Sequence, residues 1–159
     1  GTQKLFGWFG GPGLDGAAEM MDSLALRPGR RYALMSSVAE TAGGASVALG
    51  LVTPLGASAL MGSMMTAIRT VHLKNGPWVT DGGYEYNLVL IAAMLAIVDG
   101  GPGPLSIDRR LGIHDTGAFW TLASLAAAAT GSAITIKAGG REPAAQAEPV
   151  TETPHQASV

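Results

Sequence analysis

The chain has 159 residues, a formal net charge of −2 and no cysteine, and 47% of its residues are hydrophobic whereas only 14% are charged. Without cysteine the chain has no disulfides, iron–sulfur clusters or thiolate zinc sites of its own, and its small charge and scattered basic residues exclude a nucleic-acid-binding protein. Because a soluble domain is typically about a quarter charged, the composition predicts an integral membrane protein in a lipid bilayer.

The chain opens with an aromatic turn and an amphipathic segment. Aromatic residues cluster within 6–9, next to a glycine and proline run at 10–13, which predicts an interfacial turn. Over 14–26 apolar residues recur every three or four positions, so an amphipathic interfacial helix is expected. The chain starts with Gly1 and shows no signal-peptide pattern, and we expect it to be a fragment.

Four apolar stretches follow and are predicted to span the membrane. They lie at 32–52, 55–71, 84–99 and 118–136. The first has about 20 largely apolar residues, the length that a helix needs to cross the hydrocarbon core. A short turn at 53–54 predicts that the first two helices form an antiparallel hairpin. Small residues on the first helix predict close packing against Ser58 and Gly62 of the second.

These segments predict an all-α fold, an integral membrane helical bundle. We divide it into a membrane core at 1–111, an additional transmembrane helix at 112–137 and a proline- and alanine-rich disordered tail at 138–159. Basic residues are more frequent on the side of the loop after residue 71 than on the side of Arg109 and Arg110, which favours the former side as cytoplasmic.

The candidate functional residues combine one acid within an apolar helix and a polar loop at the end of the next. Glu40 lies in the middle of the first predicted span, where a charged side chain costs about 2.5–3.5 kcal/mol on insertion scales, so we expect it to have a function. The loop between residues 71 and 87 gathers polar and aromatic side chains. The catalytic candidates are Glu40, His72 and Glu85, and the binding candidates are Lys4, Trp8, Asn75, Trp78 and Asn87.

A structural alternative exists for each of these residues. In it, Glu40 is an acid hydrogen-bonded to a neighbouring helix, His72 is an interfacial cap, and Glu85 favours the positive end of its helix. Trp8 and Trp78 are then ordinary members of the aromatic belt at the membrane surface. Since His114 is expected on the opposite membrane side and His155 in the tail, no second histidine accompanies His72, and no metal site and no haem are predicted.

Several segments together resemble the DoxX family of small bacterial membrane proteins. They are KLFGWFGGPGLDG, AETAGG, VHLKNG, NGPWVTDGGYEYNLVLIAA and GPGPLSIDRRL, in that order. The resemblance covers residues 1–111 and implies a four-helix bundle in the bacterial inner membrane, crossed several times by the chain. Family members usually begin with another transmembrane helix before the KLFG motif, so the resemblance implies that this chain lacks the first helix of the core.

The resemblance also implies a function. It relates the chain to the small subunits of thiosulfate:quinone oxidoreductase and to membrane complexes that act in oxidative or thiol stress. Under that hypothesis quinone is the cofactor, its head group contacts His72 and Asn75, a tryptophan stacks on it, and Glu40 and Glu85 move protons. The alternatives are a non-catalytic membrane scaffold for soluble redox enzymes and a carrier of small molecules or lipids.

Overall fold

The computed structural model describes residues 1–140, which form helices, turns and connecting loops without a strand. The α-helices are α1 (Thr2–Phe6), α2 (Gly13–Ser23), α3 (Gly29–Leu49), α4 (Thr53–Ala67), α5 (Glu85–Gly100), α6 (Ile107–Arg110) and α7 (Ala118–Gly139). A π-helical turn at Ile68–His72 continues α4, and short 3-10 turns occur at Trp8–Gly10, Leu73–Asn75 and Val79–Asp81. The all-α prediction is confirmed, and the predicted tail from residue 141 onward lies outside the described residues.

The helix ends follow local backbone features rather than hydrophobicity alone. The amphipathic helix α2 ends at Ser23, earlier than predicted, and Ala25 beyond it adopts a left-handed conformation with φ 59°. Helix α3 begins at Gly29 and so includes Arg30 and Arg31, whose long side chains can extend toward water while their stems stay on the helix. Helix α7 continues to Gly139, past the predicted end of the additional helix.

Among the described residues, α7 is the one helix that is long and apolar enough, by length and composition, to cross a membrane by itself. Helices α4 and α5 have 15 and 16 residues, fewer than the roughly 20 needed to span the hydrocarbon core. Helix α3 has 21 residues but carries two arginines and Glu40. The membrane spans at 32–52, 55–71 and 84–99 therefore stay predictions.

Helix α4 occupies the centre of the bundle and packs against α3, α5 and α7. The small residues of α3 do permit a close approach, but the partner on α4 is Gly56 rather than Ser58 or Gly62. A Cβ atom on Gly56 would lie 2.7 Å from the Ser46 Cβ and 3.0 Å from the Gly43 carbonyl oxygen. Gly62 instead faces α7. The close contact therefore lies two residues before Ser58 and six residues before Gly62.

Apolar side chains form two separate buried clusters. The first joins α2 to the start of α3 and contains Ala17, Met21, Leu26, Tyr32 and Ala33. The second lies between α4, α5 and α7 and contains Ala57, Met61, Ile91, Val98 and Ala128. Because the additional helix α7 contributes to the second cluster, it is an integral part of this bundle.

A buried carboxylate joins α6 to the turn between α3 and α4. Asp108 accepts hydrogen bonds from the backbone nitrogens of Val52 (2.8 Å) and Thr53 (3.0 Å) and from the Thr53 hydroxyl (2.9 Å). Burial raises the pKa of the Asp108 carboxyl, but these hydrogen bonds outweigh that effect and hold the pKa below its ordinary value. The Asp108 carboxylate thereby supplies the acceptor that the first backbone N–H groups of α4 need.

An exposed ion pair between α2 and α3 is expected to contribute little. Arg30 Nη1 lies 2.6 Å from Asp15 Oδ1, and their side chains are 70% and 87% exposed. Because water screens such pairs, we expect Arg30→Ala to change the free energy of unfolding by less than about 0.5 kcal/mol. Thermal unfolding in detergent measures this change, and a loss several times larger would show that Arg30 has a structural role.

Candidate ligand-binding groove

A groove of about 400 Å³ lies between α2, α3, α4 and α7. Its volume falls in the range of small-molecule sites, about 300–1,000 Å³. Methionines from α2 and α3 form one wall, and small residues of α4 and α7, including Ala59 and Gly62, form the other. The groove exists because these small side chains leave space that larger residues would fill.

A charged cluster stands in the wall of this groove. Lys4 Nζ lies 2.5 Å from Glu40 Oε1, and the Ser36 hydroxyl donates to the same oxygen at 3.0 Å. The backbone nitrogen of Gly1 lies 3.2 Å from Glu40 Oε2. The side chains of Lys4 and Glu40 are only 26% and 15% exposed. Each charge is thus paired and hydrogen-bonded, the condition under which buried charges are tolerated.

The aromatic turn after α1 positions Lys4 beside α3. Helix α1 ends at Gly7 in a left-handed conformation, with φ 69°. The chain then folds back so closely that a Cβ atom on Gly11 would lie 2.6 Å from the Gln3 carbonyl oxygen. Glycines at these positions therefore let α1 lie along α3 before α2 begins, with Lys4 directed at Glu40.

The polar loop after α4 binds its own backbone rather than the groove. His72 Nδ1 lies 2.7 Å from the Gly82 carbonyl oxygen, and Asn75 Nδ2 donates to the same oxygen at 3.2 Å. Glu85 Oε1 accepts from the backbone nitrogen of Val79 at 2.9 Å. These three candidates are brought together by the loop at 73–84, and none of them lines the groove as described.

The remaining candidates occupy other places. Trp8 and Trp78 are 54% and 63% exposed. Asn87 is buried in the first turn of α5, where its amide nitrogen lies 3.4 Å from the Met64 sulfur. Of the predicted site residues, only Lys4 and Glu40 therefore meet within the groove.

The hydroxyl and methionine side chains of the groove were not among the predicted site residues. The groove is lined by the hydroxyls of Ser58 and Thr66 of α4, Thr70 of the π-helical turn after it, and Ser132 of α7. Positions 58, 66 and 70 differ by multiples of four, so the stripe was visible in the sequence as one helix face. The contribution of α7 had no such signal, because nothing local to 118–139 indicates which helix it contacts.

Comparisons with known proteins give one family match, which covers the N-terminal part of the chain. No curated protein and no solved structure significantly matches it. The DoxX family model matches residues 1–73, which include α1 to α4, Lys4 and Glu40. The matched range stops before the GGYEYN block and is shorter than the range of the resemblance noted above. Residues 1–73 are therefore similar to the DoxX family of helical membrane proteins, and the match covers a little under half of the chain.

Proposed function

We propose that this protein is a quinone-binding component of an oxidoreductase system in the bacterial inner membrane, and that the groove holds the quinone. The observation that carries the proposal is the Lys4–Ser36–Glu40 cluster in the wall of an otherwise mainly apolar groove of about 400 Å³. An apolar slot with a few convergent polar groups is the usual form of a small-molecule site.

The residues of the groove suit a quinone on chemical grounds. A bound quinone supplies two-electron, two-proton redox chemistry, with electrons delivered by a soluble partner enzyme that oxidises thiosulfate or thiols. Lys4 supplies N–H donors for a carbonyl oxygen. Glu40 is placed to accept or return a proton beside that oxygen. The methionines of α2 and α3 offer a deformable apolar wall for the ring or tail.

The polar loop then has a structural role rather than a role in ligand binding. We assign His72, Asn75 and Glu85 to holding the loop at 73–84, since each is bonded to the loop backbone. We assign the head-group contacts to Lys4 and the proton to Glu40. The loop then shapes the protein surface instead of binding the ligand.

A binding experiment separates the groove from the polar loop. Protein in lipid nanodiscs would be titrated with a decyl-tailed benzoquinone, with native mass spectrometry as readout. We expect Lys4→Met and Glu40→Gln each to weaken binding by roughly tenfold or more, because hydrogen bonds to charged groups contribute about 1.5–3 kcal/mol. His72→Ala serves as the matched control outside the groove and should bind as the parent protein does.

Two results would overturn the proposal. One is unchanged binding in both groove variants, and the other is a loss of binding confined to His72→Ala. Thermal unfolding of every variant in the same detergent shows whether a loss of binding reflects a loss of fold. Saturable reduction of the quinone by an added partner enzyme would then test whether the bound form turns over.

Exposed apolar side chains favour a second candidate, a scaffold for soluble redox enzymes. Leu73, Trp78 and Val79 on the loop are 57%, 63% and 54% exposed, and they form a surface on which a partner could dock. Co-purification of a redox enzyme that is lost in Trp78→Ala, from a protein that binds no quinone, would favour the scaffold over the quinone-binding component.

A further inference from the structure

Hydroxyl groups run along the groove from end to end. Its lining includes Ser58, Ser63 and Thr66 of α4, Thr70 of the π-helical turn after it, and Ser132 and Thr135 of α7. A hydroxyl both donates and accepts, so its effect on a ligand depends on where its proton is directed. The existing hydrogen bonds show this direction for Ser58, Thr66 and Thr70.

Three hydroxyls of α4 and the π-helical turn that continues it have acceptors within the protein. Ser58 Oγ donates to the Pro54 carbonyl oxygen at 2.7 Å. Thr66 Oγ1 has two acceptors within reach, the Gly62 carbonyl oxygen at 2.9 Å and the Ser132 hydroxyl oxygen of α7 at 3.0 Å. Thr70 Oγ1 donates to the Thr66 carbonyl oxygen at 2.8 Å. This bonding to the fourth preceding carbonyl is common for serine and threonine in helices. It leaves oxygen lone pairs, rather than protons, available to a molecule in the groove.

The charged cluster on the other wall also presents mainly hydrogen-bond acceptors to the groove. The Ser36 hydroxyl donates to Glu40, and the Glu40 carboxylate has only acceptor atoms. Lys4 is a donor, but it already bonds Glu40 at 2.5 Å and lies 3.4 Å from Ser36. The hydroxyls of Tyr32, Ser63, Ser132 and Thr135 can rotate into either role. Among the groove residues whose hydrogen bonds set the direction of the proton, acceptors therefore outnumber free donors.

From this excess of acceptors we infer that the groove binds the quinol, the dihydroxy reduced form, more tightly than the quinone. A quinol has two O–H donors, whereas both oxygens of a quinone only accept. Lys4 satisfies one quinone oxygen, and the second meets a surface of lone pairs. An unsatisfied polar group away from water is costly, so the oxidised form is the poorer match. The inference rests on the proposed quinone-binding function.

Comparing the two redox forms of one probe tests this preference directly. Protein in nanodiscs would be titrated under anaerobic conditions with a decyl-tailed benzoquinone and with its quinol. We expect the quinol to bind about tenfold more tightly, the factor that one net hydrogen bond of about 1.4 kcal/mol supplies. Equal affinities, or tighter binding of the quinone, would overturn the inference and leave the proposed function standing. If neither form bound, both would be overturned.

A variant that removes one hydroxyl but keeps the shape of the side chain tests whether the hydroxyl acceptors cause the preference for the quinol. Thr66→Val should weaken quinol binding several-fold and leave quinone binding unchanged. Thr121→Val is the matched control, because Thr121 makes the same type of bond, to the Gly117 carbonyl oxygen, on α7 outside the groove. If Thr66→Val weakened both forms equally, the assignment to hydroxyl polarity would be wrong. Ser58→Ala repeats the test at a second position should the valine variant fold poorly.

Discussion

Asp108→Ala is expected to lower the free energy of unfolding by about 3–5 kcal/mol, because it removes the acceptor of three donors and each unsatisfied buried donor costs about 1–3 kcal/mol. The carboxylate is 3% exposed, so water cannot easily replace it at the backbone nitrogens of Val52 and Thr53. Thermal unfolding in detergent, followed by circular dichroism, measures the loss. Asp99→Asn, an exposed acid at the same end of the bundle, is the control and should be near neutral.

The pH dependence of stability gives a second measurement of the same contact. The pKa of Asp108 is lower in the folded protein than in the unfolded chain. The stabilisation is therefore fully present above the unfolded pKa and is lost as the pH falls through the folded pKa, below about pH 4. Asp108→Asn should remove this acid-dependent component. If Asp108→Asn lost as much stability below about pH 5 as the parent protein does, other carboxylates would be the source of the acid dependence.

Gly56→Leu is expected to destabilise the bundle by about 3 kcal/mol, at the upper end for overpacking. Even the Cβ atom would lie 2.7 Å from the Ser46 Cβ and 3.0 Å from the Gly43 carbonyl oxygen. Helices α3 and α4 would have to separate to accept the side chain. This separation costs free energy because closely packed interiors are hardly compressible.

The control for this substitution is Gly44 of α3, the residue after Gly43. A Cβ atom on Gly44 would meet nothing within 4 Å, so Gly44→Leu adds the same side chain where there is room. We expect its stability to equal or exceed that of the parent protein, since glycine inside a helix costs roughly 0.5–1 kcal/mol relative to alanine. Equal losses in both variants would show that α3 and α4 do not pack as described.

The contacts of Gly56 and Asp108 also determine the position of the helices that form the groove. Gly56 sets the separation of α3 and α4, and Asp108 fixes the turn that joins them. Both contacts therefore hold the wall that carries Glu40, on α3, in place against the wall that carries the α4 hydroxyls. Variants at either position should consequently weaken ligand binding as well as fold stability. Thr66→Val, which removes one hydroxyl and its 3.0 Å contact with Ser132 of α7, should lower the stability far less.

The helices and their order could be predicted from the sequence, and the composition of the site could be predicted only in part. Every predicted helix is present, because apolar length and the period of three to four residues are local properties of the chain. The polar loop was predicted as the mouth of the site because polar residues are dense there. In the structure, His72 and Asn75 instead bond to Gly82 within the loop. Density of polar residues does not reveal whether they are already satisfied by their own backbone.

The sequence by itself determined that the described residues are all-helical, that residues 1–73 are DoxX-like, and that an acid, Glu40, lies within an apolar helix. Only the tertiary structure decided what that acid meets. Lys4 lies 36 positions from Glu40, and Asp108 lies 56 positions from Val52. Contacts at such separations depend on how helices pack against one another, and helix packing is fixed by the whole bundle rather than by any single segment.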